Sequence, residues 1–328
     1  MSSPQSIRPS SAPRPMNVVV RPGSKAELAC RRYAARQDVP AKHPETEAIA
    51  GGFKSRKQLN LQDRGGRIIT DLVYTNFFVS GNAWNPQDMQ NIDQNLSKAM
   101  SDQHLNNVLI QYFRGAANIT STFRPSSTLN MAQPDSISQP EIEALLLQLL
   151  GQGKLQGFDF TNTVFNFMLP PGTVLTIDDG GGDNASKTEA DARTQPVEEA
   201  ASSLEGLGGF HGSVHDQVRT LFYAVGVFSE GKNGIVAFDQ SWKNVVATFY
   251  HELVEARTDA GVEDNAVAWV NNENPSEEIG DIPMTLAGPN LGKVMKEVPL
   301  ADGSGTVPIQ LMWSNAVGGP EGPINQPH

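Results

Sequence analysis

The stretch from Ser241 to Asp259, SWKNVVATFYHELVEARTD, restricts the fold more than any other part of this chain. Its apolar residues recur at helical spacing, which predicts an amphipathic helix with Ser241 as its N-cap. The apolar stripe comprises Trp242, Val245, Val246, Phe249 and Leu253. Because such a stripe has to be covered, we expect the helix to pack against strands.

The rest of the chain predicts those strands, two further helices in the folded part and a short helix in SKAELACRRYAARQ near the start, which makes the fold class α+β. Runs of β-branched and aromatic residues predict strands within 67–81, 106–113, 163–177, 218–229 and 234–239, with shorter ones near 296–300 and 307–313. A helix is predicted after Asn85, with Pro86 at its first position. A second is predicted after Ser138, which forms a capping box with Glu141.

Composition divides the chain into three parts. Residues 1–66 contain 12 Lys and Arg against 5 Asp and Glu and are rich in Pro and Ser, which predicts a flexible basic leader. Residues 67–320 are predicted to form the folded domain. A polar, Gly-rich stretch near 178–209 predicts a mobile insertion in it, and residues 321–328 a tail.

Charge and cysteine content exclude several classes of function. The net charge is −11 in spite of the basic leader, so the body would repel phosphate backbones and attract cations. Cys30 is the only cysteine, so a metal site would have to use His, Asp and Glu. No secretory signal or long apolar run is evident, which predicts no membrane span and favours a cytoplasmic location.

The predicted helix carries a candidate metal motif, H-E-x-x-E, at His251, Glu252 and Glu255. Residues four apart share a helix face, so His251 and Glu255 can point at one ion. Glu252 lies one residue further round, where it could act as a general base, as in H-E-x-x-H zinc hydrolases. The alternative interpretation is an ordinary helix face that shows its charges to water.

The flanking sequence supplies further candidates. Downstream, the loop sequence EEIGD offers Glu277, Glu278 and Asp281 as a third ligand, and Glu278 follows Glu255 at a suitable distance. Upstream, glycines flank the Phe210–His211 pair, which predicts a tight turn that presents His211. We expect His215 to be an ordinary surface histidine.

Three segments are characteristic when taken together: GFHG (209–212), HELVEARTD (251–259) and EEIGD (277–281). They resemble the exordium/phosphate-induced-protein family and its bacterial relatives. The resemblance implies a zincin-like mixed sheet packed against the H-E-x-x-E helix, with His251 and Glu255 as zinc ligands, Glu278 as the acidic ligand and Glu252 as base. This chain departs from the family in two respects. It has Ala260 where proline is usual, and it has no cysteine near these motifs.

The ligand chemistry leaves two functions open. One His and two carboxylates would neutralise a zinc ion, which lowers the pKa of bound water less than a two-His site does. His211 could help, as a fourth ligand or as a donor to a developing oxyanion. Oxygen-rich ligands would also accept manganese or calcium. The sequence therefore predicts a zinc-dependent hydrolase, most plausibly a peptidase acting on a peptide or protein substrate. The alternative is an inactive metal-binding interaction or structural protein.

Overall fold

The computed structural model describes residues 17–28, 49–177, 201–261, 266–271, 274 and 277–328. The described strands are β1 Asn17–Val20, β2 Leu61–Asp63, β3 Asp71–Val79, β4 Thr120–Leu129, β5 Ser136–Ser138, β6 Thr163–Met168, β7 Val174–Thr176, β8 Leu207–His215, β9 Thr220–Gly226, β10 Trp269–Asn271, β11 Met295–Pro299, β12 Thr306–Gln310, β13 Met312–Ser314 and β14 Gly319–Glu321. Residues 25–28 are helical, and the α-helices with both ends among the described residues are α1 Pro86–Ser101, α2 Gln103–Leu109, α3 Gln139–Gly151, α4 Ser241–Thr258 and α5 Asp281–Ala287. The fold is α+β, as the sequence predicts.

A six-stranded mixed sheet, in the order β1-β8-β9-β6-β3-β4, forms the centre of the fold. β4, β3, β6 and β9 run parallel to one another, whereas β8 is antiparallel to both β9 and β1. The other described strands form short two-stranded sheets around it.

Both faces of this sheet are covered by apolar side chains. On one face, Val164 and Ala224 belong to a core that includes Val246 of α4. On the other face, Phe165 and Tyr223 belong to a core that includes Leu146 of α3. All residues of β6 are buried, as expected for a parallel strand that is covered on both sides.

Two predicted helix starts are confirmed by their hydrogen bonds. Asn85 Oδ1 accepts the backbone N–H of Gln87 at 2.8 Å, and Pro86 occupies the first turn of α1. The capping box of α3 is present, with Ser138 N–H donating to Glu141 Oε2 at 2.8 Å. The cap predicted for α4 is wrong, because Ser241 is already helical.

Two strand predictions are wrong, and in each case a polar side chain explains the difference. The segment 106–113 is helical instead, since Asp102 caps α2 by accepting the N–H of Leu105 at 3.0 Å. The segment 234–239 forms a loop. Its N–H groups at Ala237 and Phe238 donate to Asn244 Oδ1, at 2.8 and 2.9 Å, instead of to a neighbouring strand.

The predicted leader needs correction in the two stretches that the structure describes. β1 pairs with β8, and Val18 and Val19 are buried. β2 likewise pairs with β10. In these stretches the apolar residues form strands in spite of the basic composition. Residues 1–16 and 29–48, including Cys30, lie outside the described residues.

The predicted insertion and the predicted tail both include residues that belong to the folded domain. Of the predicted insertion near 178–209, residues 178–200 lie outside the described residues, but the remainder is described and β8 begins at Leu207. The predicted tail contacts the domain, because Ile324 N–H donates to the carbonyl oxygen of His104 at 3.1 Å. Among the described residues, no helix combines the length and the apolar character that crossing a membrane requires.

Candidate metal centre

Helix α4 carries the candidate motif through the middle of the domain. It contacts β8 and β9 of the sheet, and also α1 and β12. His251, Glu252 and Glu255 are therefore each 0% exposed. The interpretation of this segment as a charged face in contact with water is wrong.

His251 and Glu255 converge as their spacing predicts. His251 Nε2 and Glu255 Oε2 lie 3.0 Å apart, yet neither atom has a hydrogen-bond partner of acceptable geometry. Two ligands bonded to one tetrahedral zinc ion at roughly 2.0–2.1 Å lie about 3.3 Å from each other. The pair thus has the separation of two ligands that share an ion.

Gln310 of β12 fixes which nitrogen of His251 faces Glu255. Its amide nitrogen donates to the Gly280 carbonyl oxygen at 2.6 Å, so its amide oxygen must face His251 Nδ1, at 2.8 Å. His251 Nδ1 then carries the proton and donates it, which leaves a lone pair on Nε2. An outer hydrogen bond of this kind is typical of metal-binding histidines.

Glu255 is held by the loop that precedes α5. The N–H of Gly280 donates to Glu255 Oε1 at 3.0 Å, so Oε2 remains directed at His251. A Cβ atom at Gly280 would lie 2.5 Å from His251 Nδ1, which explains why a glycine stands there. The loop itself is tied to β13 by the N–H of Trp313, which donates to the carbonyl oxygen of Ile279 at 2.8 Å.

The three acidic candidates for a further ligand occupy different places. Asp281 Oδ1 lies 3.8 Å from His251 Nε2, and Asp281 groups with His251 and Glu255 within 4.8 Å. Glu278 instead lies beside His211, with its Oε2 3.7 Å from His211 Nε2. Glu277 contacts Asn271 Nδ2 at 3.1 Å. The choice of Glu278 as third ligand stays a prediction, and of the three candidates Asp281 is the one that groups with His251 and Glu255.

His211 reaches the centre from the sheet. It lies in β8, so the predicted tight turn around it is wrong. Gly209 serves close packing instead, because a Cβ there would lie 2.4 Å from the carbonyl oxygen of Val225. His211 Nδ1 lies 3.4 Å from Glu252 Oε2, and Glu252 Oε1 has no hydrogen-bond partner. His215, at the end of the same strand, is exposed as expected.

The electrostatics of the centre favour cations. Burial lowers the pKa of His251, but Glu255 and the other carboxylates outweigh it and raise the pKa to about 10. Burial raises the pKa of Glu278 well above its usual range, and Glu255 and Asp259 raise it further. Burial and Glu255 do the same to the pKa of Asp281. Without a metal, the cluster therefore retains protons, and a metal ion would displace them.

Sequence reasoning missed three residues of this centre, Gln310, Gly280 and Asp259. Gln310 is the one polar residue in the predicted strand VPIQLMW, and this pattern could have indicated a buried polar contact. Asp259 follows the last turn of α4, where a carboxylate opposes the helix dipole. It is buried, accepts the N–H of Ala268 at 2.6 Å, and has its pKa raised by burial to about 6.

Comparison with known proteins finds no matching family model, no matching curated protein and no matching solved structure. The resemblance to the exordium family thus stays a prediction that rests on the three motifs alone.

Proposed function

We propose that this protein is a metal-dependent hydrolase with a zincin-like arrangement, and that its substrate is a peptide or a protein. The observation that carries the proposal is the pair His251 Nε2 and Glu255 Oε2. These atoms lie 3.0 Å apart, fully buried, without a hydrogen bond between them. Buried polar atoms are normally satisfied, so such a pair calls for a cation.

Each residue of the proposed site would have a separate role. His251 and Glu255 would hold the ion, with Glu278, the residue that the sequence predicts, or the nearer Asp281 as the acidic third ligand. A divalent ion supplies Lewis acidity, which activates water and polarises a carbonyl group. Glu252 would take the proton from water through Oε1, while its Oε2 is held by His211 at 3.4 Å. His211 would then hold the Glu252 carboxylate in position.

The ligand set makes zinc the first expectation, while manganese and calcium also fit. One imidazole and two carboxylates bring the charge of a divalent ion to about zero, so turnover should improve at mildly alkaline pH. Oxygen-rich ligand sets are also the ones that harder ions accept.

Burial favours a second candidate function. Glu252 and Glu255 are 0% exposed, and the most accessible ligand candidate, Asp281, has only 12% of its side chain exposed. A centre enclosed in this way suits a metal ion that stabilises the fold of an interaction or structural protein. The two functions differ in turnover, since both bind metal.

The substitution Glu252→Gln tests the hydrolase directly. It retains shape and hydrogen-bonding capacity but removes the basic carboxylate. We expect the variant to keep the ion held by His251 and Glu255 and to lose turnover of a mixed peptide library by about 10²- to 10⁴-fold. The matched control is Glu143→Gln, a buried glutamate of α3 on the opposite face of the sheet, which should cleave like the wild type.

Three outcomes separate the alternatives. Loss of cleavage in Glu252→Gln alone supports the hydrolase. Equal cleavage by the wild type and Glu252→Gln rules out this base. An absence of cleavage from the metal-loaded wild type at both neutral and alkaline pH supports the structural function instead.

A further inference from the structure

The described residues form two potential ligand sets, and both include Glu255. One set is His251, Glu255 and Asp281, and the other is His211, Glu252 and Glu255. Each set contains one imidazole, one carboxylate of its own and the shared carboxylate. The ligand atoms of each set lie within 4.8 Å of one another.

The distances within the second set match those of the first. His211 Nδ1 lies 3.4 Å from Glu252 Oε2 and 3.7 Å from Glu255 Oε2. His251 Nε2 lies 3.0 Å from Glu255 Oε2 and 3.8 Å from Asp281 Oδ1. Two ligands of one ion can be separated by at most about twice the ligand bond, roughly 4.2 Å. All four separations are within that limit.

The two histidines do not belong to one set. Among the residues that the structure describes, no group of three within 4.8 Å contains both His211 and His251. A single ion would therefore reach one histidine and leave the other beside a buried carboxylate. Glu255 Oε2 faces both histidines, because Oε1 is occupied by the N–H of Gly280.

The number of carboxyl groups in the cluster also favours two ions over one. The cluster brings together the carboxyl groups of Glu252, Glu255, Asp259, Glu278 and Asp281, all but Asp281 fully buried. Once metal displaces the protons that the metal-free cluster retains, one divalent ion balances two of these carboxylates, and two ions balance four. Uncompensated buried charge is strongly destabilising.

Unsatisfied atoms on both sides of Glu255 supply an independent observation. His251 Nε2 of the first set, Glu252 Oε1 of the second set and Glu255 Oε2, which both sets share, are buried and have no hydrogen-bond partner. The residues that carry them are at most 2% exposed. An acidic cluster that met all of its own hydrogen bonds would leave no such atoms.

We propose that the centre binds two divalent cations, one with His251, Glu255 and Asp281 and one with His211, Glu252 and Glu255, bridged by Glu255. The proposal rests on the proposed function only for the first of these ions. With the second ion bound, Glu252 and His211 would be its ligands, and Glu252 would no longer be the general base. Mixed nitrogen and oxygen ligands at both sites suit zinc or manganese. Paired ions of this kind, about 3.5–4 Å apart, occur in several hydrolase classes.

Manganese titration of the full-length, chelator-treated protein tests the second site. We expect about two ions per chain by calorimetry and by elemental analysis after gel filtration. The electron paramagnetic resonance spectrum should show a coupled pair. His211→Leu should bind one ion with the spectrum of an isolated Mn²⁺. Glu252→Gln provides a second variant with the same expectation, should the first not fold.

The outcomes separate failure of the second site from failure of the proposed metal function. One ion per chain in the wild type and in both variants would overturn the second site and leave the proposed metal function intact. Two uncoupled ions in the wild type, both retained by the variants, would also overturn it, since the second ion would lie elsewhere. Failure of the wild type to bind any ion would overturn both proposals.

Discussion

Two polar clusters lie between the sheet and its covering helices, the first partly buried and the second buried, and they are completed in different ways. In the first, Asp93 of α1 accepts from Asn76 Nδ2 at 2.7 Å and from Ser126 Oγ at 2.6 Å. Asn166 Nδ2 then donates to Asn76 Oδ1 at 2.9 Å. In the second, around Glu255, the atoms His251 Nε2 and Glu255 Oε2 have no hydrogen-bond partner although they lie 3.0 Å apart.

The difference separates a cluster that is complete without a ligand from one that we propose takes a metal ion. The carboxylate of Asp93 is satisfied by donors within the protein, and the unpartnered atoms near it, Asn166 Oδ1 and the Tyr74 hydroxyl, are neutral. A neutral acceptor without a partner costs far less than a buried charge. The Glu255 cluster has carboxylates in excess of donors, so only protons or metal ions can complete it. The following predictions test this contrast, from the largest expected effect to the smallest.

The largest effect is expected from Glu255→Gln, which removes the carboxylate common to both ligand sets. Metal affinity should fall below detection by isothermal titration calorimetry. The amide should also weaken the contact with His251, so the melting temperature should fall in metal-containing buffer. Asp93→Asn is the matched control and should bind metal like the wild type. Unchanged affinity in Glu255→Gln would place the metal elsewhere.

The second prediction concerns pH in the metal-free protein. The folded-state pKa of His251, about 10, lies above its ordinary value of 6.5, so protonation of His251 stabilises the fold. That contribution is fully present below about pH 6.5 and is lost as the pH rises toward 10. Each unit of raised pKa corresponds to about 1.4 kcal/mol, which gives a loss of at most a few kcal/mol.

Metal should abolish this pH dependence, because a bound ion replaces the proton on His251. Urea unfolding at several pH values, with and without metal, measures the effect. A metal-free protein whose free energy of unfolding is level from pH 6.5 to 9.5 would show that His251 and Glu255 do not interact as the structure indicates.

A smaller effect is expected from Gln310→Met, which keeps the side-chain volume but removes the acceptor for His251 Nδ1–H. The imidazole would lose its fixed orientation, and outer-shell changes of this kind cost about 10- to 100-fold in metal affinity. Calorimetry checks the affinity, and circular dichroism checks that the fold is retained. An affinity equal to that of the wild type would mean that Gln310 does not orient the ligand.

The smallest effect is expected from Asp93→Asn. The amide oxygen can still accept from Asn76, and the amide nitrogen can donate to the Ser126 hydroxyl. Both contacts then remain but lose their charge, at about 1 kcal/mol. The loss should be the same with and without metal. A loss that depends on metal would mean that the two clusters are coupled.

Sequence patterns predicted the elements whose signals are local. The capping residues Asn85 and Ser138, the apolar stripe of α4 and the convergence of His251 with Glu255 all follow from spacing along one helix. The exposed position of His215 was also predictable.

Features that depend on tertiary packing could not be predicted in this way. The Ser- and Pro-rich leader gave no sign that β1 would pair with β8, since strand pairing at an edge is non-local. His211 was identified as a site residue, but the glycines beside it relieve crowding between strands instead of forming a turn. The bond from Gln310 to His251 joins residues 59 positions apart, which no spacing rule reveals.

Thermal unfolding of the chelator-treated wild type, before and after addition of zinc or manganese, tests the central claim most directly. At about 1,000 times its dissociation constant, a ligand stabilises the folded state by about 4 kcal/mol. For a domain of this size we therefore expect the melting temperature to rise by about 8–16 °C. The rise should be reversed by chelator and absent in His251→Ala. A melting temperature that metal leaves unchanged in the wild type, or raises equally in His251→Ala, would contradict the claim that the buried His251–Glu255 cluster is completed by metal.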